Sequence, residues 1–323
     1  MRYLLARTGQ ACLLLAGVSL LSFVFVQLAP GDFFSEMRLN PQISQETVQH
    51  LQRQFALDRP ASVRYLHWLR GLVHGDFGFS FAYNSPVRTL LMPRAGNTLL
   101  LTSIATLIAW SIAIPLGVRT AATPRGLPAR VCSLVTATLL ATPDLVLALI
   151  TMMFAVRSGW IRSVRTAPSA SGSFMGWQNM RDALVHLALP TFVLTLTIVP
   201  TLLRHTAAAM RDALSSSCIS AARAHGIGPS QILYRHALRV AINPIVTLLG
   251  TSLGSLLSAS LMVEVAMGWP GIGPLLLEAI LSRDLFVVIG GIVLSAVFLI
   301  SGTLVADVLL FVVDPRIRTE GLA

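Results

Sequence analysis

LFVVIGGIVLSAVFLISGTLVA, residues 285–306, runs for 22 residues between Asp284 and Asp307 without a charged side chain, and apolar residues continue to Val313. A helix needs roughly 20 such residues to cross the hydrocarbon core of a bilayer. Five more runs of this kind precede it. Arg7 to Asp32 encloses 24 uncharged residues, Arg94 to Arg119 another 24, Asp182 to Arg204 encloses 21, and Arg239 to Glu264 encloses 24. Val131 to Val156 spans 26 residues interrupted only by Asp144. The spacing predicts six membrane-spanning helices and an all-α membrane protein.

Composition supports the bilayer as solvent. Hydrophobic residues make up 54% of the 323 residues and charged ones 12%, about half the charge of an ordinary soluble domain. The net charge is +10, and all 24 basic residues are arginine. These arginines sit mostly between the apolar runs, so they read as topology determinants and loop contacts, with no nucleic-acid partner. Cys12, Cys132 and Cys218 have neither metal nor disulfide spacing and read as small apolar fillers.

Orientation follows from arginine in short loops. With a cytoplasmic N-terminus, the inner segments hold 12 arginines. The outer ones hold 5 once the segment after the first span is set aside, since loops longer than about 60 residues contribute little. Both termini are therefore expected in the cytoplasm. The first apolar run exceeds a signal peptide's and reads as a retained helix. Domain expectations are 1–30 for the N-terminus and first span, 31–94 for an outer segment, 95–313 for the core and 314–323 for a cytoplasmic tail. Within the core, helices are expected near 95–118, 131–156, 183–203, 240–263 and 285–313. The outer segment should hold amphipathic helices over Gln45–Phe55 and Ser62–Val73, ended by Gly75, Gly78 and Pro86. Ser158 to Met180 is rich in Ser and Gly and reads as a mobile outer loop.

The inner segment 204–239 is the most informative. Ser217 to Pro244 reads SCISAARAHGIGPSQILYRHALRVAINP. Ile219 to Ala224 is helix-compatible, Gly226 and Gly228 permit a turn, and Pro229 can open a second helix that continues through Val240. Two short helices around a glycine corner make an elbow suited to docking in a partner's groove, although an ordinary basic loop has the same physical features. No Walker motif, HExxH or CxxC occurs, and nothing marks the chain as an enzyme.

Ser220-Ala221-Ala222, Gly226 and His236 resemble in spacing the EAA loop of bacterial importer permeases. ARAHGIGPSQILYRHALRVAINP is similar to the "ARAxG…RHALRNAxxP" of the peptide and nickel branch, with Ser220 in place of the motif glutamate and Val240 in place of an asparagine. Other stretches match that branch in order. Trp68-Leu69 through Gly75-Asp76-Phe77-Gly78 and Ser80-Phe81 resemble "LxGDFGxSF". Leu57-Asp58-Arg59-Pro60 resembles "LGLDxP". Glu264 to Gly273, with Trp269-Pro270-Gly271, resembles "ExxFxWPGIG". Arg283-Asp284 with Val287-Val288 resembles "RDYPVV", and Asp314 to Arg318 resembles "DPRIR".

The resemblance implies the first of two paired permeases of an ATP-driven importer. It implies as partners a second homologous permease, two ATPase subunits that hold ATP and Mg, and an extracytoplasmic solute-binding protein, with no cofactor on this chain. Ser220, Ala221, Ala222, Arg223, Ala224, Gly226, Ile227, Gly228 and Ile232 are then the residues expected to meet the ATPase. Gly75, Asp76, Gly78, Glu264, Trp269, Pro270, Gly271, Asp307 and Asp314 are structural signature positions. Trp269 reads either as an anchor at the outer membrane interface, the default, or as a contact for the docked binding protein. Asp144, beside Pro143, reads either as a pathway carboxylate favouring cationic substrates or as one paired with a subunit interface or a freed backbone end. The scattered histidines suggest no metal site. Peptides lead as substrate; nickel or a metal chelate is the alternative. A stand-alone secondary transporter is the competing class, and the elbow argues against it.

Overall fold

The computed structural model describes residues 2–28, 60–159 and 177–313. The expected helix at Gln45–Phe55, Asp314 and most of the Ser158–Met180 loop lie outside them. The chain divides into two compact units: Met1–Thr98 with Pro270–Phe298, and Leu99–Trp269 with Leu299–Ala323.

In chain order the elements are α1 (Arg2–Leu28), α2 (Ala61–Val73), a small hairpin of β1 (Phe79–Ser80) and β2 (Ser85–Pro86), and α3 (Val87–Ala122). Then come α4 (Leu127–Ala141), α5 (Asp144–Arg157) and α6 (Trp177–Leu214). The elbow follows as α7 (Ser217–Ala224) and a single turn α8 (Pro229–Gln231), joined to α9 (Leu238–Met267) by a π-helical turn, Ile232–Ala237. The last helices are α10 (Ile272–Leu281) and α11 (Leu285–Val313).

Among the described residues, four helices, α1, α3, α6 and α11, are continuous, long and apolar enough to cross a membrane. Two bent pairs bring the number to six if each is one span. The first pair, α4 and α5, meets at 104° where a single helix over 131–156 was expected. The cause is Pro143. Its ring disfavours the α conformation at the preceding residue, and Thr142 is extended at φ −93°, ψ 121°. The second pair is the elbow's span, bent by 44° between Leu248 and Ser252. α3 starts eight residues earlier than the expected 95 because Arg88 and Arg94 end an apolar run without ending a helix. α6 likewise carries its helix past Arg204 to Leu214.

The first unit closes on Phe23, Trp68, Ile289 and Val293. Here α2 lies against α1: Tyr65 tilts over Phe23 at a ring distance of 5.3 Å, and its hydroxyl shares a 2.9 Å hydrogen bond with Ser19. The expected amphipathic helix at 62–73 is thus present, with Trp68 its buried residue.

Among the described residues, the second unit shows two clusters. One joins Leu101, Ala105 and Ala109 of α3 to Val193, Leu194 and Ile198 of α6, and to Leu256, Val263 and Trp269. Small residues bring helices together, as is general in membranes. A Cβ at Gly117 would lie 2.8 Å from Thr206, one at Gly254 2.7 Å from Leu299, and one at Gly302 2.9 Å from Leu253. Gly250 to Gly254 also spells GxSxG, but a nucleophile elbow needs a strand-to-helix turn, and this Ser252 is buried in the middle of α9.

Candidate functional site

The elbow is built on a second cluster of the same unit: Val118 and Ala121 of α3, Met210 and Ala213 of α6, Ile219 of α7, Ile232 and Ala237 of the π-turn, and Ala241 and Ile245 of α9. Ile219 is fully buried and pins α7 by one side chain. The corner is a Schellman motif. Gly226 N–H donates to the Arg223 carbonyl at 3.0 Å, and Ile227 N–H reaches back to that of Ala222 at 3.3 Å. Gly226 sits at φ +76°, where a side chain costs about 1–2 kcal/mol. Among the described residues, no atom beyond the adjoining residues comes within 4 Å of a Cβ placed there. Gly226 is therefore needed for conformation, and the space outside it is open.

Of the expected contact residues, Ser220, Ala221, Arg223, Ala224, Gly226 and Gly228 are exposed, and Ala222 and Ile227 half-buried. Ile232 does not belong with them. It is 5% exposed and committed to the cluster under the elbow, so it supports the elbow from beneath and is not part of its exposed face. The expected continuous helix from Gln231 to Val240 is also replaced, by the π-turn.

The signature residues outside the elbow form a different construction. The same Schellman pattern ends α2: Gly75 (φ +79°) donates to Leu72 and Asp76 donates to Gly71, both at 2.9 Å. Asp76 Oδ1 then accepts from Gly78 N–H at 2.9 Å, and Trp68 Nε1 donates to the Phe77 carbonyl at 3.0 Å. Gly78 has φ +95°, and the Phe286 ring would stand 3.1 Å from a Cβ there. These bonds aim the hairpin at Asp284, which is 1% exposed. Asp284 Oδ2 accepts from the Ser80 hydroxyl at 2.6 Å and from Ala82 N–H at 3.2 Å. Its Oδ1 accepts from Val287 N–H at 3.4 Å, the N-cap bond of α11. The "GDFGxSF" and "RD" stretches, 204 residues apart, are thus the two halves of one latch.

Beside the latch, Tyr83 donates its hydroxyl to Glu278. Partial burial, together with that bond, pushes the Tyr83 phenol up to about 12. The folded state then holds a proton that the unfolded chain releases near pH 10, so stability is lost as pH rises from 10 towards 12. Tyr83→Phe is expected to lose less melting temperature than the native chain between pH 9 and pH 11.5. Equal losses would exclude Tyr83 as a contributor.

In the same unit, Pro270 gives its carbonyl to Asn97 Nδ2 at 2.8 Å, and Ile272 N–H donates to Thr98 Oγ1 at 2.9 Å, which fixes the start of α10 after Gly271. In the second unit, α9 ends on Gly268 at φ +66°, with Trp269 N–H donating to the Glu264 carbonyl at 3.0 Å. The Glu264 side chain is fully buried, and Trp269 is 3% exposed inside the helix core. This corrects the expected role of Trp269: its ring is committed to packing and does not face a membrane interface. Asp307 is half-buried in α11. Asp144 is half-buried in the first turn of α5, just after the corner. Its negative charge there meets the positive end of the helix dipole. Among the described residues no group of three or more His, Cys, Asp or Glu could hold a metal ion.

Comparison with known proteins gives the class. Residues 113–319 match the family described as binding-protein-dependent transport system inner membrane component, and residues 1–102 match its N-terminal membrane component. The chain is 36% identical to the oligopeptide transport system permease protein AppB of Bacillus subtilis, over 98% of this chain and 99% of that one. It is 31% identical to the dipeptide transport system permease protein DppB of Escherichia coli, at 98% and 99% coverage. It is 30% identical to the oligopeptide transport system permease protein OppB of Mycobacterium bovis, at 99% and 99%. The long apolar helices are thus those of a multi-pass membrane transport component and not of an enzyme. The chain belongs to the binding-protein-dependent transport system inner membrane component family, as its elbow and signature stretches led one to expect.

Proposed function

We propose that this chain is the first-type permease of an ATP-driven peptide importer and forms half of the translocation pathway. A second homologous permease completes the pathway, an extracytoplasmic solute-binding protein delivers substrate, and two ATPase subunits hold ATP and Mg. Both termini face the cytoplasm, in line with the arginine distribution, and membrane lipid surrounds the spans. The observation that carries the reading is the elbow: exposed Ser220, Ala221, Arg223, Ala224, Gly226 and Gly228 on a rigid corner anchored by buried Ile219 and Ile232. Such a surface can pass force from a closing partner to α6 and α9 through one packed cluster. Alternating access then follows, with ATP on the partner favouring one of two arrangements of the spans.

Peptide as substrate class rests on the names of the relatives, each of them an oligopeptide or dipeptide permease. Nothing comparable favours nickel. Asp144 is assigned to the start of α5 rather than to substrate choice, because its carboxylate sits where a helix N-terminus needs negative charge.

Reconstitution tests both points. In proteoliposomes with the second permease, both ATPase subunits and loaded binding protein, uptake of labelled peptides is expected to require ATP. Uptake that persists without the ATPase subunits would reject the reading. In the same assay, Asp144→Asn should leave the ratio of cationic to neutral peptide uptake within about twofold, or ~0.4 kcal/mol. A selective loss of cationic peptides would restore Asp144 to the pathway.

A further inference from the structure

The elbow joins its span through six residues, Ile232–Ala237, wound as a π-helix. Such turns are rare, carry one residue more than the α-helical path, and occur often at functional sites inside α-helices. Packing explains why this turn is here. Ile232 is 5% exposed and Ala237 fully buried, and both lie in the cluster with Ile219, Met210 and Ala241. Side chains five residues apart on an α-helix diverge by about 140°. In π geometry residue i+5 comes back over residue i, as the Leu238 N–H donating to the Leu233 carbonyl does. The widened turn therefore keeps Ile232 and Ala237 on one buried face. Beyond it, Ala237, Ala241 and Ile245 continue that face at α-helical spacing. The surplus residue is carried on the outside, where Tyr234 and Arg235 are exposed.

We infer that Ile232–Ala237 is a slip joint between the docking elbow and α9. This rests on the elbow being the surface that meets the ATPase. A closed α-helical ladder has no slack, so moving the elbow against its span would break several bonds together. A π-turn can exchange bonds to the fifth residue for bonds to the fourth one at a time, passing its surplus residue along the helix. The elbow can then shift relative to α9 while both stay helical and Ile219 stays buried. A rigid corner at Gly226 and a yielding turn that begins six residues further on, at Ile232, divide the work: the first grips, the second gives.

Deleting Tyr234 tests this. The deletion places Ile232 and Ala237 four positions apart, so an uninterrupted α-helix still buries both. In the complete reconstituted transporter the deletion variant is expected to assemble with its partners. Its peptide uptake should fall at least tenfold, and its ATP hydrolysis should no longer respond to loaded binding protein. Tyr234→Ala, which keeps the π-turn, should stay within twofold of the native chain. Uptake within twofold for the deletion overturns the slip joint, and so does an equal loss in Tyr234→Ala, which would assign the effect to the side chain.

If the deletion variant fails to assemble, distance measurement decides. Spin labels at Cys218, which is exposed on α7, and at Thr247→Cys on α9, with Cys12 and Cys132 replaced by alanine, report elbow against span. The separation should differ by more than ~1.5 Å, the rise of one helical residue, between nucleotide-free and vanadate-trapped transporter. An unchanged separation overturns the proposal. Gly226→Trp keeps the two readings apart. If it uncouples transport while the deletion does not, the elbow docks without a slip joint. If it leaves coupling intact, the elbow reading itself falls.

Discussion

Gly226→Trp is expected to abolish coupled uptake, on the order of a hundredfold, while the chain still inserts and folds. Two independent effects act at this position. The residue is at φ +76°, so any side chain costs about 1–2 kcal/mol of backbone strain. The indole then projects outward from a Cβ position that no described residue beyond the chain neighbours approaches within 4 Å, and that side is where a docking partner would have to fit. Loss of a central contact costs about 2–4 kcal/mol at an interface, and about 2.7 kcal/mol is a hundredfold. Gly226→Ala separates the two effects, since it pays the strain and adds almost no bulk; its uptake should fall far less. ATP hydrolysis stimulated by loaded binding protein is the second readout. Normal uptake and normal stimulation in the tryptophan variant would remove the elbow from the coupling path.

Asp284→Leu is expected to be the most destabilising single change in the first unit. Three donors lose their acceptor together: the Ser80 hydroxyl, Ala82 N–H and Val287 N–H. A buried donor left unsatisfied costs about 1–3 kcal/mol, and loss of an N-cap costs ~1 kcal/mol. Two such donors and one cap sum to about 3–7 kcal/mol, a fall in melting temperature on the order of 10 °C for a chain of this size. Asp284→Asn keeps one carbonyl acceptor and should lose about half as much. Ser80→Ala should add little to Asp284→Leu, because both remove the same bond. A melting temperature within 2 °C of the native chain in Asp284→Leu would show that the latch carries no stability.

What the sequence revealed and what it hid divide along physical lines. Apolar runs bounded by charged residues located the long apolar helices, because hydropathy is summed locally. The elbow's glycine corner was legible too, since a left-handed residue after a short helix favours glycine. The corner at Thr142-Pro143 was not read, because a hydropathy window counts 26 residues and has no sense of direction. The signal was the Thr-Pro pair itself. The π-turn left a fainter one: two apolar residues five apart, a spacing that suits neither helix face nor strand. The latch had no local signal at all, as Ser80 and Asp284 are 204 residues apart. Ile232 was misassigned because an apolar residue next to an exposed elbow reads equally well as contact or as support, and only its burial separates the two.

The division of the chain into units has a consequence for its biogenesis. The second unit takes its main core from a nearly unbroken stretch, Leu99–Trp269, whereas the first needs Pro270–Phe298 to complete it. During synthesis from the N-terminus, the helices under the elbow can settle while the chain is still being made. Trp68, the hairpin and Ser80 must wait for Asp284 and Ile289. Until then, the first unit remains an unfinished half that lacks the Pro270–Phe298 part of its core.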